Sequence, residues 1–319
     1  MREKGLKIVA FGGGTGLPVL LCGLRDHVSD LVAVVTVADD GGSSGRLRQE
    51  LGVAPPGDVR NCLVALAGRR RLAEVFDYRF EAGEELKDHA VGNIIIAALA
   101  DMAGSFEEGV EQAARFLRVK GRVYPAATES LTLVVRYADG TITRGESVVH
   151  ETRKQVEEVY VEPPSVPAPV GVIEATRRAD VILLSPGSLF TSTVPALLGG
   201  GVKEALSEFG GPVVYVANVM TQAGETGGFT VSDHIRAISS HIGPVVTDVL
   251  VHSGGFSDEL LERYRAEEAA PTVIDAEELA ALGVRLHSAD ILSENHETGV
   301  RHDPDKLAGE VLRAGLVLR

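Results

Sequence analysis

Two loops rich in glycine, acidic and hydroxyl side chains are the parts of this chain best suited to chemistry. The first, 12–16, follows the apolar run 8–11, and the second, 39–45, follows the apolar run 31–37. A strand that ends in glycines and opens into a helix offers main-chain N–H groups to a phosphate. An acidic residue at the end of the next strand is placed to bind a ribose hydroxyl or a metal ion. The two loops therefore predict a nucleotide or another phosphorylated ligand.

The first loop matches neither of the two common phosphate-binding motifs. No lysine follows Gly16, as a Walker A loop requires, and Leu17 stands where the dinucleotide fingerprint needs its third glycine. An NAD-type dehydrogenase is therefore the least favoured class of enzyme. The candidates for phosphate binding in this loop are Gly13, Gly14, Thr15 and Gly16.

The second loop combines several types of ligand-binding group. Adjacent carboxylates at Asp39 and Asp40 suit a divalent cation or sugar hydroxyls. Ser43 and Ser44 supply hydroxyl donors, and Arg46 supplies positive charge for phosphate. The alternative is that Asp39 and Ser43 cap the following helix. The sequence leaves the metal requirement unknown.

Two further helix starts carry polar residues. Asp58 has the type and position of a helix N-cap, and Asn61 falls in the first turn, where the helix dipole favours an anion. Asn93 follows Gly92 at the start of an apolar helix, which suits a close approach to a ligand. The neighbouring His89 is predicted to be structural rather than a catalytic base.

Later loops add hydroxyl and amide groups. Gly187 and Ser188 follow a predicted strand at a helix entrance, where phosphate or hydroxyl groups bind. Asn218 and Thr221 follow the next strand, and their side chains are suited to read a base or sugar edge. The sequence has no Ser-His-Asp order, nucleophile elbow or Cys/His metal spacing, so no catalytic residue is assigned.

Short apolar runs that alternate with helical segments predict an α/β fold, a Rossmann-like, mostly parallel sheet with helices on both faces. The strands are predicted at 7–11, 31–38, 180–184, 213–217 and 247–251. The helices are predicted at 17–25, 44–51, 58–67, 92–102, 106–118, 192–206, 231–240, 258–266 and 304–316. The polar loops all follow strands, which is where ligands bind in such sheets.

The stretch from about 120 to 170 has a different pattern. The run 131–137 leads through Asp139-Gly140 into 141–144, which is typical of a β-hairpin, and 156–161 is another strand-like run. We therefore expect one Rossmann-like nucleotide-binding domain over 1–319 that carries a small antiparallel insertion or cap at about 120–170.

The composition is that of an ordinary globular protein. Asp and Glu outnumber Lys and Arg by 45 to 31, a formal charge of −14, which argues against nucleic acid as a partner. Cys22 and Cys62 are too few for a disulfide framework, and both are expected to be reduced core residues. No apolar stretch is long enough to insert in a membrane, and the N-terminal residues lack a signal-peptide pattern. These features predict a cytoplasmic protein.

Taken together, the motifs make this chain similar to the bacterial gluconeogenesis-factor family. The resemblance lies in the segments 12–17, 37–48 and 56–63, and it continues through 92–93, 186–188, 218–221, 232–234 and 301–304. It extends over essentially the whole chain. Ser185, Ala223 and Asp88 depart from the pattern expected for this family, and none of them removes a ligand-binding group.

The resemblance implies a fold similar to that of 2-phospho-L-lactate transferase and a UDP-sugar ligand, notably UDP-N-acetylglucosamine. It also implies a role in cell shape and morphogenesis during gluconeogenic growth, exerted through a cell-wall or metabolic protein partner, with no accepted catalytic activity. Tyr264 and Arg301 are carried over as contacts to the sugar or diphosphate. The alternative is a phosphotransferase that resembles the phospholactate enzyme and needs Mg²⁺ at Asp39 or Asp40. A homodimer is a further expectation, since sheet proteins of this size commonly form dimers.

Overall fold

The computed structural model describes residues 5–295 and 299–317. Its strands, in chain order, are β1 (Lys7–Gly12), β2 (Asp30–Val35), β3 (Arg122–Pro125), β4 (Thr132–Tyr137), β5 (Ile142–Arg144), β6 (Val156–Glu162), β7 (Val181–Leu184), β8 (Val213–Val216), β9 (Asp248–His252), β10 (Arg285–Ala289), β11 (Leu292–Asn295) and β12 (Gly299–His302). Its α-helices are α1 (Gly16–Leu24), α2 (Gly42–Leu51), α3 (Gly57–Leu66), α4 (Arg70–Asp77), α5 (Val91–Ala103), α6 (Phe106–Leu117), α7 (Val149–Thr152), α8 (Val170–Arg178), α9 (Val202–Ser207), α10 (Val231–Ile242), α11 (Asp258–Ala266), α12 (Ala276–Ala281) and α13 (Pro304–Val317).

Seven strands form a parallel sheet in the order β10-β9-β8-β7-β1-β2-β3. Every residue of β7 and β8 is buried, which explains why these strands are continuous apolar runs rather than alternating ones. The predicted α/β fold with a mostly parallel sheet is thus confirmed.

The order of the strands reverses at β1. From β1 the chain adds β2 and β3 on one side, and β7 to β10 extend from the other side. The chain therefore continues to opposite faces of the sheet after β1 and after β7, since Leu17 packs in one core cluster and Leu189 in the other. In open α/β sheets this switch point is where ligands bind.

Alternation along β1 divides the core into two layers. Ile8 and Ala10 pack in one hydrophobic cluster with residues of α1, α3, α5, α6 and α13. Val9 and Phe11 pack in the other cluster, which includes residues of α8, α10 and the antiparallel strands. Since successive side chains of a strand point to opposite faces, this division shows that both faces of the sheet are covered.

The insertion is a separate antiparallel sheet of three strands in the order β5-β4-β6. The predicted hairpin through Asp139 and Gly140 is present, and Asp139 Oδ1 accepts hydrogen bonds from the main-chain and side-chain donors of Thr141. The antiparallel part begins at Thr132. The preceding strand β3 pairs in parallel with β2 and belongs to the main sheet.

The structure corrects one predicted helix and the predicted burial of one cysteine. The single helix expected over 192–206 is broken into a π-helical turn at Leu189–Thr193, a 3-10 turn at Pro195–Leu197 and helix α9. Pro195 lacks a donor N–H and the glycines 199–201 disfavour helix, so the helix cannot run through. Cys22 is exposed on α1, whereas Cys62 is buried as expected.

Within the described residues, no helix is both long and apolar enough to cross a membrane.

Candidate functional site

A cavity of about 430 Å³ lies at the carboxyl ends of β1, β7 and β8. A volume in the range of roughly 300–1,000 Å³ is typical of sites for small molecules and cofactors. Its lining residues are Thr15, Gly16, Val19, Pro186, Gly187, Asn218, Val219, Met220, Thr221, Gln222, Ala223, Tyr264, Glu267, Ala269, Arg301 and His302. The cavity therefore occupies the switch point and continues along the loop after β8.

Seven residues predicted from the sequence are brought together in this cavity. They come from five separate parts of the chain: Thr15, Gly16, Gly187, Asn218, Thr221, Tyr264 and Arg301. The cavity thus combines glycine main chain, hydroxyl, amide, aromatic and cationic groups. This combination suits an anionic ligand that also carries rings or hydroxyls.

The loops after β1 and β7 approach so closely that glycine is required. A Cβ on Gly16 would lie 1.9 Å from the carbonyl oxygen of Pro186. Gly14 adopts a left-handed conformation with φ of +61°, which side chains disfavour. The glycines predicted for phosphate binding therefore also allow the two loops to form one wall of the cavity.

Asn218 fixes the loop after β7. Its Oδ1 accepts a hydrogen bond of 2.9 Å from the Gly187 N–H, and its Nδ2 donates one of 2.6 Å to the Gly187 carbonyl. Thr221 has a similar tethering role, since its Oγ1 accepts from the Ala270 N–H at 3.0 Å and its own N–H donates to the Ala270 carbonyl at 2.8 Å. Both residues line the cavity and hold its walls in place.

Ser188 lies beside this cavity and hydrogen-bonds to the buried side chain of Glu225. Its hydroxyl donates to Glu225 Oε1 at 2.6 Å, and the same oxygen accepts from the Phe190 N–H at 2.6 Å. Ser188 Oγ also caps the π-helical turn by accepting from the Thr191 N–H at 3.2 Å. The hydroxyl at this helix entrance is therefore engaged with the protein.

A second group of predicted residues surrounds an acidic cluster, which we define as Asp39, Asp40, Asp58 and Glu146. Asp58 Oδ2 accepts a hydrogen bond of 2.7 Å from the Gly14 N–H, and it lies 2.7 Å from the position of a Cβ on Gly13. The expected N-cap role of Asp58 is therefore wrong. Helix α3 begins one residue earlier at Gly57, and the carboxylate reaches the glycine loop instead.

The insertion supplies the fourth acid of the cluster. Asp40 Oδ1 accepts a hydrogen bond of 2.9 Å from the Ser147 N–H, and a Cβ on Gly145 would lie 2.1 Å from Asp40 Oδ2. This close contact places Glu146 against the loop after β2. Glu146 is partly buried, and its Oε2 has no hydrogen-bond partner in the part of the chain that the structure describes.

Three acids of the cluster resist ionisation. Burial raises the pKa of Asp39, and burial, together with the charge of Asp39, raises the pKa of Asp58 to about 6. Burial, followed by the charges of Asp39 and Asp58, raises the pKa of Glu146 to about 8. We therefore expect Glu146 to be protonated at neutral pH, first because burial disfavours its charged form and second because Asp39 and Asp58 lie nearby.

The remaining predicted residues of the second loop are tied to the protein. Ser43 Oγ pairs with His89 Nδ1 at 2.9 Å and accepts from Asn93 Nδ2 at 3.1 Å. Ser44 Oγ accepts from the Gly57 N–H at 3.1 Å, and Asn61 Oδ1 accepts from Arg60 at 2.5 Å. These contacts join α2, α3 and α5 beneath the cluster.

Arg46 turns away from the hydroxyls of this loop. Its guanidinium donates to the Lys87 carbonyl at 2.6 Å, so it holds the segment before α5.

No set of three His, Cys, Asp or Glu side chains among residues 5–295 and 299–317 has an arrangement that could hold a metal ion. The acidic cluster has the charge for a cation but not the arrangement of its side chains. We therefore assign no metal ligand.

The chain is similar to known proteins along nearly its whole length. A family model described as "2-phospho-L-lactate transferase CofD" matches residues 8–292. The gluconeogenesis factor of Halalkalibacterium halodurans is 44% identical over 314 residues, which cover 98% of this chain and 97% of that protein. The gluconeogenesis factor of Bacillus subtilis is 42% identical over 304 residues, or 95% of this chain and 96% of that protein. The chain belongs to the gluconeogenesis-factor family.

A solved structure of a similar protein has the same fold as this chain. Protein BH3568 from Bacillus halodurans superposes with a TM-score of 0.94 at 43% sequence identity, with 98% of this chain and 100% of that chain covered. The Rossmann-like fold of this member of the gluconeogenesis-factor family is thus shared along nearly its whole length.

Several residues of this gluconeogenesis-factor family member were not found from the sequence. Glu267 and His302 line the cavity, and Glu146 completes the acidic cluster. His302 belongs to the segment 301–304 that carries the family resemblance, but it is not among the predicted ligand contacts. Glu146 lies 106 positions after Asp40, so only the docking of the insertion brings it to the site.

Proposed function

We propose that this protein binds a UDP-sugar, UDP-N-acetylglucosamine in the first place, and acts as a regulator rather than by turnover. The observation that carries the proposal is the cavity at the switch point, because it joins the glycine loop to Tyr264 and Arg301. Main-chain N–H groups at a helix start and a guanidinium both suit a diphosphate. The resemblance to the gluconeogenesis factors supports the choice of ligand.

The proposed output is a shift between conformations of the protein. A ligand that binds one conformation more tightly increases its population, and partners that recognise that surface then respond. We infer that the partner is a protein of cell-wall synthesis or metabolism and that the role is maintenance of cell shape on gluconeogenic carbon sources. The working form in this proposal is a homodimer or a complex in the cytoplasm.

The first test is calorimetric titration with UDP-N-acetylglucosamine, with and without Mg²⁺, and with GDP as the comparison ligand. Arg301→Ala is the informative variant, since the side chain is exposed and lines the cavity. Arg70→Ala is the matched control, because the Arg70 side chain is 95% exposed on α4. We expect micromolar binding by the wild type and by Arg70→Ala, at least a tenfold loss in Arg301→Ala, and no product on prolonged incubation.

A phosphotransferase is the second candidate, and the family-model match over 8–292 favours it. This chemistry would need Mg²⁺ to neutralise the diphosphate, and Asp39 or Asp40 would have to hold it although no set of three such ligands is arranged for a metal among the described residues. GDP binding that depends on Mg²⁺, together with a product, would favour the transferase and contradict the regulator. Failure of both ligands to bind would contradict both candidates.

A further inference from the structure

A buried glutamate, Glu225, joins the two loops that line the cavity after β7 and after β8. Pro186 and Gly187 belong to the first of these loops, and Gln222 and Ala223 belong to the second. Glu225 is only 3% exposed, and it is not among the residues that line the cavity. Any effect of Glu225 on a ligand is therefore exerted through the residues of the cavity wall.

The carboxylate of Glu225 accepts two hydrogen bonds from the loop after β7. Glu225 Oε1 accepts from the Ser188 hydroxyl at 2.6 Å and from the Phe190 N–H at 2.6 Å. Short bonds of this kind are typical of a carboxylate acceptor, whose hydrogen bonds are stronger than those between neutral groups. Glu225 thus fixes the residue that follows Gly187 and the start of the π-helical turn.

The main chain around Glu225 forms a tight turn that includes a residue of the cavity wall. The Glu225 N–H donates to the Gln222 carbonyl at 3.2 Å, and the Thr226 N–H donates to the same carbonyl at 2.9 Å. Thr226 Oγ1 also accepts from the Gln222 N–H at 3.0 Å. A displacement of Glu225 would therefore displace Gln222, which lines the cavity.

Asn218 makes a second contact between the same two loops. Its side chain exchanges two hydrogen bonds with the main chain of Gly187. Asn218 also lines the cavity, so its replacement would change the wall as well as the contact between the loops. Glu225 lies behind the wall, and its replacement changes the contact alone.

From these contacts we infer that Glu225 is a positioning residue for the ligand site, which holds the loops after β7 and β8 in the relative positions that bind the ligand. The inference rests on the proposed function, because the ligand is the proposed UDP-sugar. Walls that are already in place avoid the free-energy cost of ordering them on binding. Without this contact only a fraction of the molecules has the competent arrangement, and the apparent affinity falls by that fraction.

The experiment titrates UDP-N-acetylglucosamine and UDP into the wild type, Glu225→Gln, Ser188→Ala and the double variant. We expect Glu225→Gln to bind both ligands more weakly by the same factor, about fivefold or more. The factor is equal because the competent fraction is a property of the protein and not of the ligand. Ser188→Ala should add little to the loss in Glu225→Gln, since the two residues form one contact.

Asp248→Asn is the matched control for a general loss of stability. It also replaces a fully buried carboxylate with an amide, but Asp248 is the first residue of β9, at the end of the sheet opposite the cavity. Thermal melts should show that both variants are destabilised. In titrations at a temperature at which circular dichroism shows every variant folded, only Glu225→Gln should lose affinity.

Four results would contradict the inference. Wild-type affinity in both Glu225→Gln and Ser188→Ala would overturn it alone, and so would equal losses of affinity in Glu225→Gln and Asp248→Asn. Additive losses in the double variant would show that Ser188 acts independently of Glu225, and a loss confined to the UDP-sugar would limit the effect to the sugar. If the wild type binds neither UDP nor the UDP-sugar, the proposed function fails and this inference fails with it.

Discussion

The carboxylate of Asp58 accepts a 2.7 Å hydrogen bond from the main-chain N–H of Gly14. A glycine loop of this kind usually directs such N–H groups at a phosphate, and here an acid of the neighbouring helix takes one of them. If the loop binds an anion, we therefore expect it to do so through Thr15 and Gly16, which line the cavity. Asp58 also connects the cavity wall to the acidic cluster.

Replacing Asp58 with Asn should make stability less sensitive to pH. The folded pKa is raised to about 6, above the ordinary value of 3.8, so ionisation destabilises the fold as pH rises through 6. An amide oxygen still accepts from Gly14 but carries no charge. The full pKa shift corresponds to ~3 kcal/mol, of which about half is lost below pH 5. Partial solvent exposure of Asp58 screens the rest, so between pH 5 and 8 the wild type should lose about 1 kcal/mol relative to the variant.

Urea denaturation at a series of pH values checks this prediction. An equal pH dependence of unfolding free energy in wild type and Asp58→Asn would contradict the prediction, because it would mean that folding does not raise the pKa of Asp58.

Glu146→Gln should stabilise the protein, and the stabilisation should increase from pH 6 to pH 9. Its folded pKa of about 8 lies above the ordinary value of 4.5, so the stability that the neutral acid provides is lost as pH rises through 8. The difference at pH 9 should be about 2 kcal/mol, since partial exposure screens the repulsion. Melting temperatures at pH 6 and pH 9 measure it, with Glu84→Gln in an exposed loop as the control. A greater effect at pH 6 than at pH 9 would contradict the prediction.

Asp248→Asn tests the opposite end of the sheet. The fully buried Asp248 carboxylate accepts hydrogen bonds of 2.8 Å from Nε and Nη2 of Arg285 and one of 2.8 Å from His287 Nε2. Burial opposes its ionisation, but these donors outweigh burial and hold the pKa of Asp248 below its ordinary value.

The stability that the ionised Asp248 contributes to the fold is therefore present at neutral pH and is lost as pH falls through that lowered pKa. The variant should lose about 1–3 kcal/mol at pH 7, and the loss should shrink in acid. Denaturation at pH 7 and below pH 3 gives the comparison, because the lowered pKa lies below 3.8. UDP-sugar affinity is the internal control. Asp248 is the first residue of β9, whereas the cavity lies at the opposite, carboxyl end of the strands, so the affinity should not change. A large change in affinity would show that Asp248 influences the cavity.

Gly16→Ala should damage both fold and ligand binding. The new methyl would lie 1.9 Å from the Pro186 carbonyl oxygen, so the loops after β1 and β7 must separate. Overpacking of this kind costs about 1–3 kcal/mol. Gly210→Ala is the matched control, since nothing lies within 4 Å of its Cβ position. Thermal melts and ligand titration of both variants test this, and full ligand affinity in Gly16→Ala would show that the loops tolerate separation.

The parts of the site that lie on strand ends were accessible from the sequence. Strands buried on both faces leave continuous apolar runs, so the loops at 12–16, 185–188 and 218–221 could be placed at one edge of the sheet. Parallel strands meet at that edge by necessity, and this brings Gly16, Gly187 and Asn218 to one cavity. Tyr264 and Arg301 came instead from family resemblance.

Features that depend on contacts between distant segments of the chain could not be predicted from the local amino-acid sequence. Strand β3 is only four residues long and ends in Pro125, so its pairing with β2 leaves little trace in the sequence. Whether Asp58 caps its helix or reaches Gly14 is decided by how α3 packs on α1 and β2. The placement of Glu146 likewise follows from the contact of Gly145 and Ser147 with Asp40.

The pairing of β1 with β7 also has a consequence for synthesis of the protein. The Lys7 N–H donates to Asp180 Oδ2 across 173 positions of sequence, and Arg301 reaches the same cavity from still farther along the chain. Ribosomes add about 5–20 residues per second, so tens of seconds separate translation of the glycine loop from that of the arginine. A growing chain therefore cannot complete the cavity until nearly all of it has been made.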